Sequence, residues 1–225
     1  MRVAVFDLDG TLADTAADLV AAANGALAEA GIGRELDPVR DAATAFAGGR
    51  AMLRRGLAGP DGGLDEAAVE RLYPRLLALY GERIAVETRL YAGAEAALGR
   101  LDAAGWGLAV CTNKPEGLAV RLLDALGIGR RFRAVVGADT LAWRKPDPRH
   151  LTGTIARAGG VPERAVLVGD TVNDREAARA ARVPCVLVGF GPEGAGAAAL
   201  EPEALLAHFD ELPALLDRLV PAGAG

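Results

Sequence analysis

Lysine is nearly absent from this chain: of 25 basic residues only Lys114 and Lys145 are lysines, and the rest are arginines. Scarcity makes both informative, and each follows an apolar or aromatic segment. Cysteine is equally sparse. Cys111 and Cys185 both sit in apolar strand-like runs, which excludes a disulfide framework and predicts buried free thiols suited to a reducing cytosol. The few cysteines and histidines are not spaced as a zinc site. No apolar run approaches the roughly 20 residues of a membrane-spanning helix, and the chain enters a strand-like run at Arg2, which argues against a signal peptide. Positive charge is not in excess either: 30 acidic residues against 25 basic give a net charge of −5 and an isoelectric point near 5.2. That balance gives no electrostatic reason for a nucleic acid or an anionic membrane as partner. A cytoplasmic protein acting on a small molecule is expected, with monomer and homodimer both open.

Strand-like runs near residues 2–7, 106–112, 133–137, 164–169 and 183–188 alternate with helix-like stretches such as 94–104, 116–127 and 148–158. Alternation of this kind predicts an α/β fold with a doubly wound, Rossmann-like parallel sheet. Between residues 15 and 87 the pattern changes. Leu19, Val20, Ala23 and Leu27, and later Leu72, Leu76 and Leu79, recur at helical spacing without any strand-like run. An all-helical cap over 15–87, inserted after the first strand of a core formed by 1–14 and 88–225, is therefore expected, and its placement suits a lid. Small-residue runs at 191–199 and 221–225 are expected to be mobile.

The chemistry concentrates where strand-like runs end. Asp7 and Asp9 close the first run, RVAVFD, and are followed by Gly10 and Thr11. Two carboxylates so close repel unless a cation, donors or a shifted pKa offsets the repulsion. Thr112 and Asn113 end WGLAVCTN, Lys145 lies in AWRKPDP, and Asp170 and Asp174 end AVLVGDTVND. In a parallel sheet the carboxyl ends of the strands share one edge, so these segments converge on one pocket.

A carboxylate at a strand tip can attack phosphorus to form an acyl phosphate, the role expected of Asp7. Asp9 can protonate the leaving alkoxide and later deprotonate water, which calls for a raised pKa on Asp9 beside an ionised Asp7. An oxygen-only site at Asp7 and Asp170 suits Mg²⁺. Asp174 reads equally as a metal ligand or as a helix cap. Thr112, the amides after it and Lys145 offer donors and charge to phosphate oxygens. Arg50 and Arg54 fall on one face of a helix starting near Gly49, and serve either a substrate anion or a solvated helix start.

Taken in order, FDLDGTLADT, CTNK, the lysine of RKPDP and GDTVND resemble the four motifs of the haloacid dehalogenase-like hydrolase superfamily across the whole chain. The resemblance implies Asp7 as nucleophile, Asp9 as acid/base, Thr112 and Lys145 as phosphate ligands, and Asp170 with the Asp9 carbonyl as Mg²⁺ ligands. An aspartate at position 9 is similar to the phosphotransferase branch and unlike the true dehalogenases. The insertion and LYAGAEAALGRLDAAGWGLAVCTNKP resemble the phosphoglycolate phosphatase-like subgroup. Phosphonoacetaldehyde hydrolases need a cap lysine that residues 15–87 lack, and β-phosphoglucomutases commonly carry valine where Thr11 stands. The implied activity is hydrolysis of a small phosphomonoester, 2-phosphoglycolate first. Sugar-phosphate mutase, pyrophosphatase, nucleotidase and non-catalytic binding module stand as alternatives.

Overall fold

The six-stranded sheet takes its shape from runs of β-branched and small apolar residues that are buried from end to end. Val3 to Phe6, Ala165 to Val168 and Cys185 to Val188 are all at most 1% exposed, and Trp106 to Cys111 is buried throughout. Such continuous runs mark central strands of a parallel sheet covered on both faces. In the computed structural model, which describes residues 1–59, 63–191 and 194–222, the chain forms two compact units. One comprises Met1–Ala13 with Leu90–Gly225 and the other Asp14–Arg89. Of the two small-residue runs, residues 192–193 and 223–225 lie outside the described residues.

The chain order of the strands is β1 (Arg2–Phe6), β2 (Ala13–Asp14), β3 (Arg89–Leu90), β4 (Trp106–Cys111), β5 (Ala134–Val136), β6 (Ala165–Gly169), β7 (Cys185–Val188) and β8 (Ala204–Leu206). The two-residue strands β2 and β3 mark where the chain passes between the units. The sheet has the order β5-β4-β1-β6-β7-β8 and every pairing in it is parallel. β1 is central: the chain builds outward to β4 and β5 on one side and then crosses to β6 on the other. That reversal creates the topological switch point at which α/β sheets bind ligands. The register pairs Phe6 with Val110 on one side and Val168 on the other, so the residues that follow β1, β4 and β6 emerge side by side.

Helices α5 (Ala94–Ala103), α6 (Glu116–Ala125), α7 (Pro148–Arg157), α8 (Val172–Ala181) and α9 (Leu212–Leu219) complete this unit. Leu98, Leu101, Leu122, Leu123, Leu151 and Ile155 are fully buried on their inner faces. Each such side chain contributes about 1.5–3 kcal/mol. Strand β8 was not anticipated, because EALL reads as helix; it is a three-residue edge strand selected by pairing with β7.

The unit Asp14–Arg89 is helical, with α1 (Ala16–Glu29), α2 (Ala42–Phe46), α3 (Gly49–Leu57) and α4 (Glu66–Glu82). Leu19, Val20, Ala23, Leu27 and Leu76 are buried, whereas Leu72 and Leu79 are half-buried. One carboxylate ties its ends. The buried Asp18 accepts hydrogen bonds from the Glu87 amide at 3.1 Å, the Thr88 amide at 2.9 Å and the Thr88 hydroxyl at 2.7 Å.

Candidate active site

Strand β1 ends at Phe6, and Asp7 follows it with its amide still donating to Val168 O at 2.9 Å. The chain then turns sharply: the amides of Leu12 and Ala13 both donate to Leu8 O, at 3.0 and 3.1 Å. Gly10 sits in this turn at φ 77°, a conformation that a side chain would strain. The turn keeps Asp9 at the strand tip.

Asp7, Asp170 and Asp174 are all buried, and an oxygen from each lies within 4.8 Å of the others. Lys145, 2% exposed, answers part of that charge: its Nζ is 2.9 Å from Asp7 Oδ2 and donates to Asp174 Oδ1 at 2.6 Å. Burial alone would pull its ammonium down, but Asp174 and Asp7 hold it above the usual lysine range. Three carboxylates against one ammonium leave surplus negative charge. Burial accordingly lifts Asp7 to about 6, against the pull of Lys145, and lifts Asp170 well above the carboxylate range with help from Asp7 and Asp174. The expectation of a simply ionised Asp7 thus meets a crowded, dry site.

The residues present fit a divalent cation. Asp170 Oδ1 accepts from Thr11 Oγ1 at 2.6 Å, yet among the described residues its buried Oδ2 has no hydrogen-bond partner. An orphaned carboxylate oxygen in a cluster of oxygen ligands is the arrangement hard cations take.

Asp174 takes the cap reading and also stands in the acidic cluster. Its Oδ2 accepts from Thr171 Oγ1 at 2.7 Å and the Thr171 amide at 3.1 Å, closing a capping box at the start of α8, while Oδ1 faces Lys145. Gly169 makes room for it, since a Cβ there would meet Asp174 Cγ at 2.4 Å.

Thr112 follows β4, is 2% exposed, and accepts the Lys114 amide on Oγ1 at 3.2 Å. Asn113 is exposed and donates from Nδ2 to the Lys145 carbonyl at 3.0 Å, bracing the lysine loop. Helix α6 starts at Glu116, where the helix-like stretch 116–127 placed it, and its first amide donates to Asp139 Oδ1 at 2.8 Å. Behind the site, Cys111 and Cys185 are free and buried, and burial pushes the Cys111 thiol up to about 12. Arg50 lies in the other unit. There its guanidinium grips Glu70 at 2.6 and 2.8 Å and stacks on Tyr73 at 3.7 Å, and Arg54 grips Glu66 in the same manner at 2.9 and 3.1 Å.

Two residues outside the expected set stand in the centre of the geometry. Thr11 orients Asp170, and Lys114, side chain 4% exposed, places Nζ 2.8 and 2.9 Å from the two oxygens of Asp9. Lysine scarcity pointed to Lys114, and the chain position of Thr11 directly after the aspartate pair pointed to Thr11. Neither signal said which carboxylate each would meet. A concavity of about 540 Å³ lined by Leu90, Tyr91, Gly93, Glu95 and Arg131, among others, shares no residue with this cluster. Chemistry rather than concavity locates the site.

A sheet that switches at β1, with paired aspartates, a threonine, a lysine and an acidic pair at its carboxyl edge, is the architecture of one hydrolase class. A sequence profile of the haloacid dehalogenase-like hydrolases matches residues 1–182. This chain belongs to that family. It is 46% identical to a phosphoglycolate phosphatase of Agrobacterium fabrum over 226 residues, covering 99% of this chain and 95% of that one. A phosphoglycolate phosphatase of Mesorhizobium japonicum is 44% identical over 98% of this chain and 97% of its own length. Among solved structures, a predicted phosphoglycolate phosphatase of Haemophilus somnus superposes with a TM-score of 0.84 at 26% identity, covering 96% of this chain and 97% of that one. CbbY of Rhodobacter sphaeroides, solved with xylulose-1,5-bisphosphate, gives 0.74 at 26% identity, covering 94% and 96%. Among the described residues, no helix is long and apolar enough to cross a membrane.

Proposed function

We propose that this protein, a phosphatase of the haloacid dehalogenase-like family, hydrolyses 2-phosphoglycolate with Mg²⁺ through an aspartyl-phosphate on Asp7. The reading rests on one observation above the others: a buried aspartate at the tip of the central strand shares its site with one lysine and two further carboxylates, one of which has an orphaned oxygen. The names and near-complete coverage of the relatives at 46% and 44% identity support the substrate.

Asp7, Asp170, Asp174 and the Asp9 carbonyl are the groups that would hold the ion, which when bound supplies positive charge that offsets the repulsion between carboxylates and phosphate. Lys145 and Thr112 bind the phosphoryl oxygens and hold the phosphorus in line with Asp7. An Asp7 oxygen forms a bond to phosphorus as the bond to the glycolate oxygen breaks, and Asp9 gives that oxygen a proton. Water then attacks the acyl phosphate, Asp9 takes its proton, and Asp7 is released with inorganic phosphate.

The test is phosphate release across 2-phosphoglycolate, xylulose-1,5-bisphosphate, hexose phosphates, nucleotides, pyrophosphate and p-nitrophenyl phosphate, with Mg²⁺ and with EDTA. We expect the highest kcat/KM for 2-phosphoglycolate and no turnover in EDTA. A flat profile would overturn the substrate, and undiminished turnover in EDTA would overturn the metal.

A further inference from the structure

The two lysines of this chain occupy different stations at one site. Lys145 lies against Asp7 and Asp174, on the side where the phosphoryl group is transferred. Lys114 lies against Asp9, 2.8 and 2.9 Å from its two oxygens. In the proposed reaction Asp9 meets the leaving oxygen, so Lys114 marks the place of the departing alcohol. The stations are set by backbone: Lys114 follows Thr112 at the end of β4, with its amide on Thr112 Oγ1, and the Asn113 side chain bonds the Lys145 carbonyl, locking the two lysine segments together.

We propose that Lys114 is a specificity-determining residue that selects phosphate esters whose leaving group carries a carboxylate next to the ester oxygen. The inference rests on the proposed phosphoglycolate reading and deepens it. In 2-phosphoglycolate the carboxylate is one carbon removed from the ester oxygen, so an ester oxygen within hydrogen-bonding reach of Asp9 brings the substrate carboxylate close to the Asp9 carboxylate. Asp9 carrying its acid proton offers that carboxylate no countercharge, and once the proton is given up the two like charges repel. An ammonium already on Asp9 removes the repulsion: it is a compact point charge with three rotatable donors, able to serve two carboxylates at once. Its burial strengthens the effect, because the side chain is 4% exposed and water screens it little. A neutral leaving alcohol gains nothing from this charge. The alternative carboxylate reader named from sequence, Arg50, has its guanidinium paired in bidentate fashion with Glu70 inside the helical unit.

The experiment compares kcat/KM for 2-phosphoglycolate and for ethyl phosphate, which has the same two-carbon chain without the carboxylate oxygens, in the wild type, Lys114→Met and Lys114→Arg. It adds inhibition of p-nitrophenyl phosphate hydrolysis by glycolate, and thermal melts to establish folding. Because loss of Lys114 also disturbs Asp9, the quantity read is the ratio between the two esters. We expect Lys114→Met to reduce that ratio at least tenfold, mostly through KM, and to weaken glycolate inhibition by a similar factor, with Lys114→Arg restoring much of both. An equal fall on both esters would overturn the assignment, leaving Lys114 a positioning residue for Asp9. A wild type without preference for 2-phosphoglycolate would overturn the substrate reading itself, whereas a preference retained in Lys114→Met overturns Lys114 alone. If Lys114→Met does not fold, the ratio in Lys114→Gln decides by the same criterion.

Discussion

Charge is handled in opposite ways in the two units of this molecule. In the helical unit, most ion pairs lie at the surface: Arg50 with Glu70, Arg54 with Glu66, and Arg75 with both Glu29 and Glu82 are all partly or largely exposed. In the sheet unit, Asp7, Asp170, Asp174 and Lys145 are buried together with acids in excess. The first arrangement is nearly neutral in energy. The second costs stability and persists because the site has a use for concentrated charge. Surplus charge, not charge as such, separates the reactive region from the inert one.

The contrast breaks most completely at the nucleophile. Asp7→Asn should lower kcat by about a thousandfold or more, read as phosphate release with Mg²⁺; turnover within tenfold of the wild type would remove Asp7 from the mechanism. Next comes Lys145→Met, which strands two buried carboxylates without their cation. Its unfolding free energy in urea without Mg²⁺ should fall by about 3–5 kcal/mol, and a loss below about 1 kcal/mol would mean that the pair is less buried in solution.

The pH dependence sharpens the same comparison. Asp7 ionises near its usual value in the unfolded chain but only at about 6 in the fold, so its contribution to stability is fully present below pH 4 and is lost as pH rises through 6. Asp170, raised for the same reason, acts in the same direction. In EDTA the melting temperature should therefore include a falling component over this window, and Mg²⁺ should reverse it at pH 7.5. Asp170→Asn should melt higher than the wild type in EDTA at pH 7.5 and gain less from Mg²⁺. A lower melting point would show that Asp170 is not a source of strain. The smallest effect is expected at the surface: Arg54→Ala should leave the urea unfolding midpoint nearly unchanged, checked by urea denaturation.

What was legible in the sequence follows from the same physics. Buried parallel strands are written as unbroken apolar runs, so β1, β4, β6 and β7 could be placed within one or two residues, and the carboxyl-edge positions of Asp7, Thr112 and Asp170 came with them. Strand β8 carries no such signature, because three residues at a sheet edge are chosen by their neighbour. Pairings between distant side chains were likewise invisible: nothing local in CTNK says that Lys114 reaches back to Asp9, 105 residues away. Arg50 illustrates the converse, since its helix face was readable but its partner Glu70, on the next helix, was not.

The Asp18 clamp has an evolutionary consequence. The Asp18 carboxylate, near the start of the helical unit, holds the chain at Glu87 and Thr88, which makes everything between them a closed loop with fixed ends. The entropy of such a loop grows only with the logarithm of its length, about 0.6 kcal/mol for each doubling. Helices can then be lengthened, dropped or replaced between residues 19 and 86 while both crossing points hold still. A single aspartate thereby turns this segment into an exchangeable cassette, and a lineage can experiment with it while the reacting groups stay untouched.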